Sequence, residues 1–155
     1  MSANGRSAVA EGCQVWGVAQ DRPYPMVEFV LRILAREQAP VRQLACHGAE
    51  CDWARAIAEC VARGECCGGV VFCEDPGLTC CVANKVPGLR AVAVTTVAQA
   101  ARATRTLGAN LLAVEMPGRT FFEVRQILRT LGTAANACPP GVACTLEELD
   151  GHAHC

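Results

Sequence analysis

The chain has few aromatic residues and almost no excess charge, and these two shortages exclude one class of partner. Phe, Trp and Tyr make up 5% of its 155 residues, and the formal net charge is -1. A nucleic-acid interface needs Lys and Arg along one face to neutralise phosphates, and often aromatic side chains on which bases stack. We therefore expect no nucleic-acid partner.

Long apolar runs are also missing. Each apolar stretch is interrupted by a charged residue, Gly or Pro before it reaches the roughly 20 residues that cross a bilayer. The opening residues, MSANGRSAVAEGC, include one Arg and lack the apolar centre of a secretory signal. These features predict a cytoplasmic protein without a membrane partner, and we expect a disordered segment over residues 1–12.

The chain contains no Cys-x-x-Cys pair, although it has 12 cysteines. Zinc ribbons and thioredoxin-like redox sites need that spacing, so neither is expected. We interpret most of the cysteines as reduced thiols in apolar segments, where free Cys acts as a small hydrophobe. We expect no cofactor and no metal, and the alternative left open is a structural metal on irregularly spaced ligands. Those ligands are Cys46, His47 and Cys51, or Cys138, Cys144, His152, His154 and Cys155.

Strand-like and helix-like segments alternate along the chain, of which 52% is hydrophobic. This alternation, over a length that suits one domain, predicts parallel strands joined by right-handed helical crossovers. The expected fold is α/β, a three-layer α/β/α Rossmann-like sandwich with a five-stranded parallel sheet, formed by residues 13–133. The predicted strands are residues 14–19, 41–46, 69–73, 89–94 and 110–114.

A short helix is predicted after the Gly/Pro loop that follows the strand at residues 69–73, and four longer helices are predicted between the other strands and after the last one. Pro25 begins the first, and Asp52 is the expected N-cap of the second, which ends at Gly64. Two further helices are expected over residues 97–107 and 120–131, where apolar side chains recur at helical spacing.

The tail of residues 134–155 is expected to lie outside this domain. Pro139-Pro140-Gly141 interrupts it, and a helical turn is expected to follow at residues 146–149. Because such a short tail cannot extend the core alone, we expect it to pack on a partner subunit.

The most specific signal lies at residues 70–91, which read VVFCEDPGLTCCVANKVPGLRA. This segment resembles the active-site segment of the ribose-5-phosphate isomerase type B family, which includes the galactose-6-phosphate isomerase subunits. Residues 84–91 match the family's N-K-V-P-G-I-R-A almost letter for letter, and residues 69–73 resemble its G-I-L-I-C strand. The similarity is continuous over residues 52–110. It implies a homodimer or higher homo-oligomer whose sites are shared between subunits.

The resemblance also implies a reaction, the interconversion of an aldose phosphate and a ketose phosphate through an enediolate. The family's base is a Cys at the position of Cys73, and a glycine-rich loop after it supplies amides for the oxyanion. Here the loop reads Glu74-Asp75-Pro76-Gly77-Leu78. Pro76 has no N–H, and the two carboxylates are expected to raise the pKa of the Cys73 thiol. Since some family members use a loop carboxylate as the base, Glu74 and Asp75 are alternative catalytic candidates.

Other positions of the family's site carry different residue types. The family's first strand ends in G-S-D-H-A-G, and residues 17–22 here lack its Asp-His pair, although Asp21 and Arg22 lie close by. Thr95 stands where the family has a ring-opening His. The family's phosphate-gripping tail segment retains only His152 here. The alternative sources of positive charge are Arg22, Arg102, Arg105 and Arg119. The catalytic candidates are Cys73, Glu74, Asp75 and Thr95, and the substrate-binding candidates are Gly77, Leu78, Asn84, Lys85, Asp21, Arg22 and His152.

Two functions of different classes follow from these residues. The first is a divergent sugar-phosphate isomerase that uses Cys73 or a loop carboxylate as its base. The second is a catalytically silent family member that binds a metabolite or a protein, or that completes the site of an active paralogue as a subunit of a heteromeric isomerase. Ketose formation from sugar phosphates distinguishes the first from binding without turnover.

Overall fold

The structure is a computed structural model that describes residues 14–131 and 138–152. The predicted disordered segment at residues 1–12 lies outside the described residues. The described part contains β1 (Trp16–Gln20), α1 (Pro25–Arg36), β2 (Val41–Gln43), α2 (Glu50–Ala62), β3 (Gly68–Cys73), α3 (Pro76–Ala83), β4 (Ala91–Val94), α4 (Val97–Thr106), β5 (Leu111–Glu115), α5 (Phe121–Leu131) and α6 (Pro140–His152).

The five strands form one parallel sheet in the order β2-β1-β3-β5-β4. Helices α1, α4 and α5 pack on one face of this sheet, and α2 and α3 pack on the other. The predicted three-layer α/β/α sandwich is therefore confirmed. No helix in the described ranges is long and apolar enough to cross a membrane.

Strand β3 occupies the centre of the sheet, between β1 and β5. Every residue of β3 is buried, and Val70, Val71, Phe72 and Cys73 have no exposed surface at all. An uninterrupted apolar run of this kind is typical of a parallel strand that is covered on both faces. The carboxyl end of β3 is thus fixed by packing from both sides.

Several predicted boundaries were wrong by a few residues. Strand β2 ends at Gln43, because only one further backbone bond, from Leu44 N to Val18 O at 2.8 Å, follows the ladder. Asp52 is the third residue of α2 instead of its N-cap, and its carboxylate accepts from the amide of Ala49 at 3.3 Å. It still stabilises the helix start, since carboxylates in the first turn satisfy free amides.

The tail forms a longer helix than predicted. Helix α6 spans 13 residues, where a single turn was expected, and it begins at Pro140 because Pro suits the first turn of a helix. Its carboxylate at Asp150 accepts from the amide of Gly88 at 2.9 Å, which ties the helix to the turn before β4. None of its residues is buried in the single chain.

Two asparagine side chains hold the turn between α3 and β4. Asn84 accepts from the amide of Ala91 at 2.7 Å and donates to its carbonyl at 2.9 Å. Asn110 accepts from the amide of Arg90 at 2.7 Å and donates to the carbonyl of Gly88 at 2.9 Å. Side-chain amides here replace the backbone pairs that the turn lacks, so the N-K-V-P-G-L-R-A segment is held at the start of β4.

Asn84→Asp is expected to lower the free energy of unfolding by about 1–2 kcal/mol, because the carboxylate keeps the acceptor and loses the donor to Ala91 O. Chemical denaturation measures the change. The matched control is Gln126→Glu on the exposed face of α5, which is expected to stay within about 0.5 kcal/mol of the wild type. Equal effects of the two substitutions would contradict the role of the Asn84 amide.

Candidate active site

The candidate site lies at the carboxyl edge of the sheet, where ligands bind in open parallel α/β folds. Cys73 ends β3 there, and its thiol lies 3.5 Å from the hydroxyl of Thr79 on α3. Both residues are wholly buried. Helix α3 therefore covers the thiol and separates it from bulk solvent.

Burial raises the pKa of the Cys73 thiol to about 12. The Thr79 hydrogen bond opposes this rise in pKa, whereas the carboxylates of Asp21 and Glu50 add to it. The direction agrees with the expectation from sequence, but burial is the main cause, and the contributing carboxylates are not those of the adjacent loop. At neutral pH the thiol is protonated.

The altered loop at residues 74–78 starts helix α3. Asp75 is the N-cap, and its carboxylate accepts from the amide of Leu78 at 3.0 Å, while Pro76 is the first helical residue. Asp21 accepts from the amide of Glu74 at 2.9 Å. Two amides of the loop are therefore occupied by the chain's own carboxylates, and Pro76 has none to offer.

The amides of Asp75 and Gly77 are the loop donors that stay open, since they bond to no other atom of the described residues. Both residues are exposed at the edge of the sheet. They are the groups of this loop that a ligand oxygen could reach.

Asp21 and Arg22 follow β1 and lie beside this loop. The second carboxylate oxygen of Asp21 accepts from the hydroxyl of Tyr24 at 2.8 Å. Burial raises the pKa of Tyr24 to about 12, and the hydrogen bond to Asp21 adds to that rise in pKa. Arg22 lies 3.4 Å from the carboxylate of Glu74, with both side chains more than half exposed. These contacts fix the Asp21 side chain against the loop, whereas the Arg22–Glu74 ion pair faces solvent.

Glu50, which sequence reasoning missed, also belongs to this site. It begins α2, and its carboxylate accepts from the Thr79 hydroxyl at 3.3 Å. Its pKa is raised, chiefly by burial and then by the carboxylates of Asp75, Asp21 and Glu74, while the Thr79 bond opposes the rise. The only sequence signal was its place two residues before Asp52, just ahead of the segment that resembles the family. Its contact with Thr79 joins positions 29 residues apart.

Thr95 and Arg119 lie at the same edge of the sheet, on the side of β4 and β5. Both the amide and the hydroxyl of Thr95 donate to the Gln99 side chain, at 2.8 and 3.1 Å. The guanidinium of Arg119 donates to the carbonyl of Thr95 and lies 3.7 Å from the carboxylate of Glu123. Its Nε is buried without a partner in the described residues. Arg119 therefore brings a cation to this half of the edge.

Three of the sequence-predicted residues lie elsewhere in the chain. Asn84 and Lys85 follow α3, which runs from the carboxyl edge of the sheet back to its amino edge, where Asn84 contacts the start of β4. His152 ends α6, which is bonded to the same turn through Asp150. Within one chain, these residues are separated from Cys73 by the length of the strands.

The family model described as ribose/galactose isomerase matches residues 18–132, which is most of the chain. The chain belongs to the ribose/galactose isomerase family. No curated protein matches the sequence significantly.

Solved structures of isomerases share the fold. Type B ribose 5-phosphate isomerase of Trypanosoma cruzi is 23% identical with a TM-score of 0.74, over 92% of this chain and 99% of that one. Ribose-5-phosphate isomerase B of Clostridium thermocellum is 25% identical with a TM-score of 0.73, over 88% and 95%. The Mycoplasma genitalium enzyme, with bound ribulose-5-phosphate, is 21% identical with a TM-score of 0.72, over 88% and 94%.

The described residues of this isomerase-family chain include no group of three or more Cys, His, Asp or Glu arranged to hold a metal ion. Among the ligands considered from sequence, Cys46 is half-buried, and burial raises the pKa of its thiol to about 11. His154 and Cys155 lie outside the described residues.

Cys73 is expected to react with iodoacetamide at pH 8 at least about 100-fold more slowly than the exposed Cys51 and Cys81, because a protonated, buried thiol is a poor nucleophile. Peptide-resolved mass spectrometry measures each rate. In denaturant the three rates are expected to converge. Labelling of folded Cys73 as fast as Cys51 would contradict the assigned protonation state.

Proposed function

We propose that this protein interconverts an aldose and a ketose, carried as sugar phosphates, at the carboxyl edge of its sheet. The observation that carries the proposal is a thiol, a hydroxyl and a carboxylate in hydrogen-bond sequence, from Cys73 through Thr79 to Glu50, at the end of the central strand. Such a chain supplies the proton-transferring groups that an enediolate reaction needs. The Mycoplasma genitalium relative, which holds ribulose-5-phosphate, supports the choice of ligand class.

The open amides of Asp75 and Gly77 are the proposed donors to the enediolate oxygen, since they face outward at the loop. Glu74 and Arg22 form the exposed pair at its rim, and Asp21 holds the loop through the Glu74 amide. Arg119 supplies positive charge on the other side, next to Thr95. A phosphate group of the ligand is proposed to lie on that side, away from the carboxylates of Asp21, Glu50, Glu74 and Asp75.

A second candidate function is favoured by a different observation. The thiol of Cys73 has a pKa of about 12, and the amide of Glu74 is occupied by Asp21. Both features oppose catalysis by a thiolate with a full set of loop donors. They favour a catalytically silent member of the family that binds a sugar phosphate or another metabolite.

The wild-type protein is expected to form ketose from at least one of ribose 5-phosphate, allose 6-phosphate and galactose 6-phosphate. Ketose detection is run together with thermal denaturation in the presence of each sugar. Stabilisation without ketose would replace the first function by the second. If neither sugar-dependent signal is seen, both sugar-phosphate functions are overturned, and only binding of another metabolite or of a protein is left.

We also propose a homodimer or higher oligomer. Asn84, Lys85 and His152 lie at the edge opposite Cys73, so they reach a ligand there only from a second copy. The exposed side chains of Phe122 and Leu149, at 77% and 61%, are apolar surface that an interface would cover. Native mass spectrometry is expected to give a multiple of the chain mass, and a monomer would remove any role of these three residues in the site.

We propose a cytoplasmic location because the described thiols are free rather than joined in disulfides. All ten cysteines in the described ranges are free, and seven of them are buried or half-buried. Reducing compartments keep thiols in this form, whereas secreted domains of similar cysteine density are cross-linked.

A further inference from the structure

Cys73 and Glu50 are two of the groups at this edge that could take a proton from a substrate, and the structure places one hydroxyl between them. Thr79 Oγ1 lies 3.5 Å from Cys73 Sγ and 3.3 Å from Glu50 Oε1. Thr79 and Cys73 are wholly buried, whereas Glu50 is only partly buried. A substrate in the crevice therefore meets the carboxylate more readily than the thiol.

The direction of the hydrogen bonds identifies the group that carries no proton and is ready to act as a base. A hydroxyl has one hydrogen to donate and lone pairs to accept with. The carbonyl of Asp75 also lies 3.3 Å from Thr79 Oγ1, but a carboxylate is the stronger acceptor. Thr79 thus donates to Glu50 and accepts from the S–H of Cys73. This direction leaves the negative charge on the carboxylate and the proton on the thiol.

We propose that Glu50 is the catalytic base of this site, and that Thr79 and Cys73 are positioning residues that hold its carboxylate. The inference rests on the proposed isomerase function and changes the role expected for Cys73. In this arrangement the buried thiol orients the Thr79 hydroxyl, and the hydroxyl orients the carboxylate.

The proposed step balances without any co-reactant. A carboxylate oxygen of Glu50 takes the proton from the carbon next to the carbonyl, so that a C–H bond breaks and an O–H bond forms. The released electron pair forms the C=C bond of the enediolate, and the carbonyl oxygen takes the negative charge near the open loop amides. Glu50 then returns the proton to the neighbouring carbon, and a proton moves between the two oxygens of the intermediate.

Charged groups from each neighbouring element influence this carboxylate. Asp21 follows β1, and Glu74 and Asp75 belong to the loop before α3, while Arg22 is paired with Glu74. Burial and, after it, these three carboxylates raise the pKa of Glu50, which brings a general base closer to the working pH. Activity is therefore expected to fall as the pH drops through this raised pKa, when Glu50 becomes protonated.

The decisive comparison uses Glu50→Gln and Cys73→Ala, with Glu59→Gln on the exposed side of the same helix as the matched control. Glu50→Gln is expected to lower kcat at least about 100-fold with little change in KM, since general-base catalysis contributes at least that much. Cys73→Ala is expected to retain activity within about 10-fold, and Glu59→Gln to match the wild type. Full activity in Glu50→Gln, or loss of turnover in Cys73→Ala, would overturn the inference.

Thr79→Val and Thr79→Ser test the positioning role. Removal of the hydroxyl in Thr79→Val is expected to raise the pKa of Glu50, because the bond from Thr79 lowers it, and the acid limb of the pH–kcat profile moves to higher pH. Thr79→Ser is expected to restore the wild-type limb. Carbon-13 NMR of the Glu50 carboxyl reports the same titration without turnover, and an unchanged pKa in Thr79→Val would overturn the hydrogen-bond chain.

The two levels of the proposal fail in different ways. A wild-type protein without turnover on any sugar overturns the isomerase function. Turnover that survives Glu50→Gln overturns only the assignment of the base.

Discussion

The burial of β3 is the constraint on which the rest of the structure depends. Because β1 and β5 flank this strand and helices cover both of its faces, its carboxyl end cannot shift relative to the crevice. The same burial that fixes Cys73 removes it from water and raises the pKa of its thiol. A rigid position and a thiol that stays protonated are therefore two results of one packing arrangement, and proton transfer is left to a group nearer the solvent.

Acidic side chains have two uses around this edge. Asp75 caps α3 and Asp21 holds the amide of Glu74, so both carboxylates stabilise the backbone at helix and loop starts. Their charges also act on Glu50, which has no cation of its own in the described residues. The Asp75-Pro76 sequence does not suit an oxyanion site, but it does suit the start of helix α3, where Asp75 is the N-cap and Pro76 the first helical residue.

The sheet, its order of helices and the family follow from local patterns in the sequence. The spacing of apolar residues indicates the type of each element. A parallel strand that is buried on both faces, such as β3, is an uninterrupted apolar run, whereas a helix that is buried on one face repeats its apolar residues every three or four positions. The end of β2 was predicted a few residues too late, because it depends on backbone pairing with β1. The place of Asp52 in α2 was also predicted wrongly, because its carboxylate bonds to the amide of Ala49. The contact between Glu50 and Thr79 was beyond sequence reasoning, since neither residue type nor spacing marks a pair that meets only after α2 and α3 have packed together.

The asparagine-bound turn before β4 has a consequence for how such a protein diversifies. Its hydrogen bonds use Asn84 and Asn110 at the amino edge of the sheet, and none of the loop residues at the carboxyl edge takes part in them. Exchanges in the loop after Cys73 thus leave these bonds intact. Members of this fold can therefore change the residues at the carboxyl edge of the sheet, and with them the chemistry of the site, while the turn at the amino edge keeps its structure.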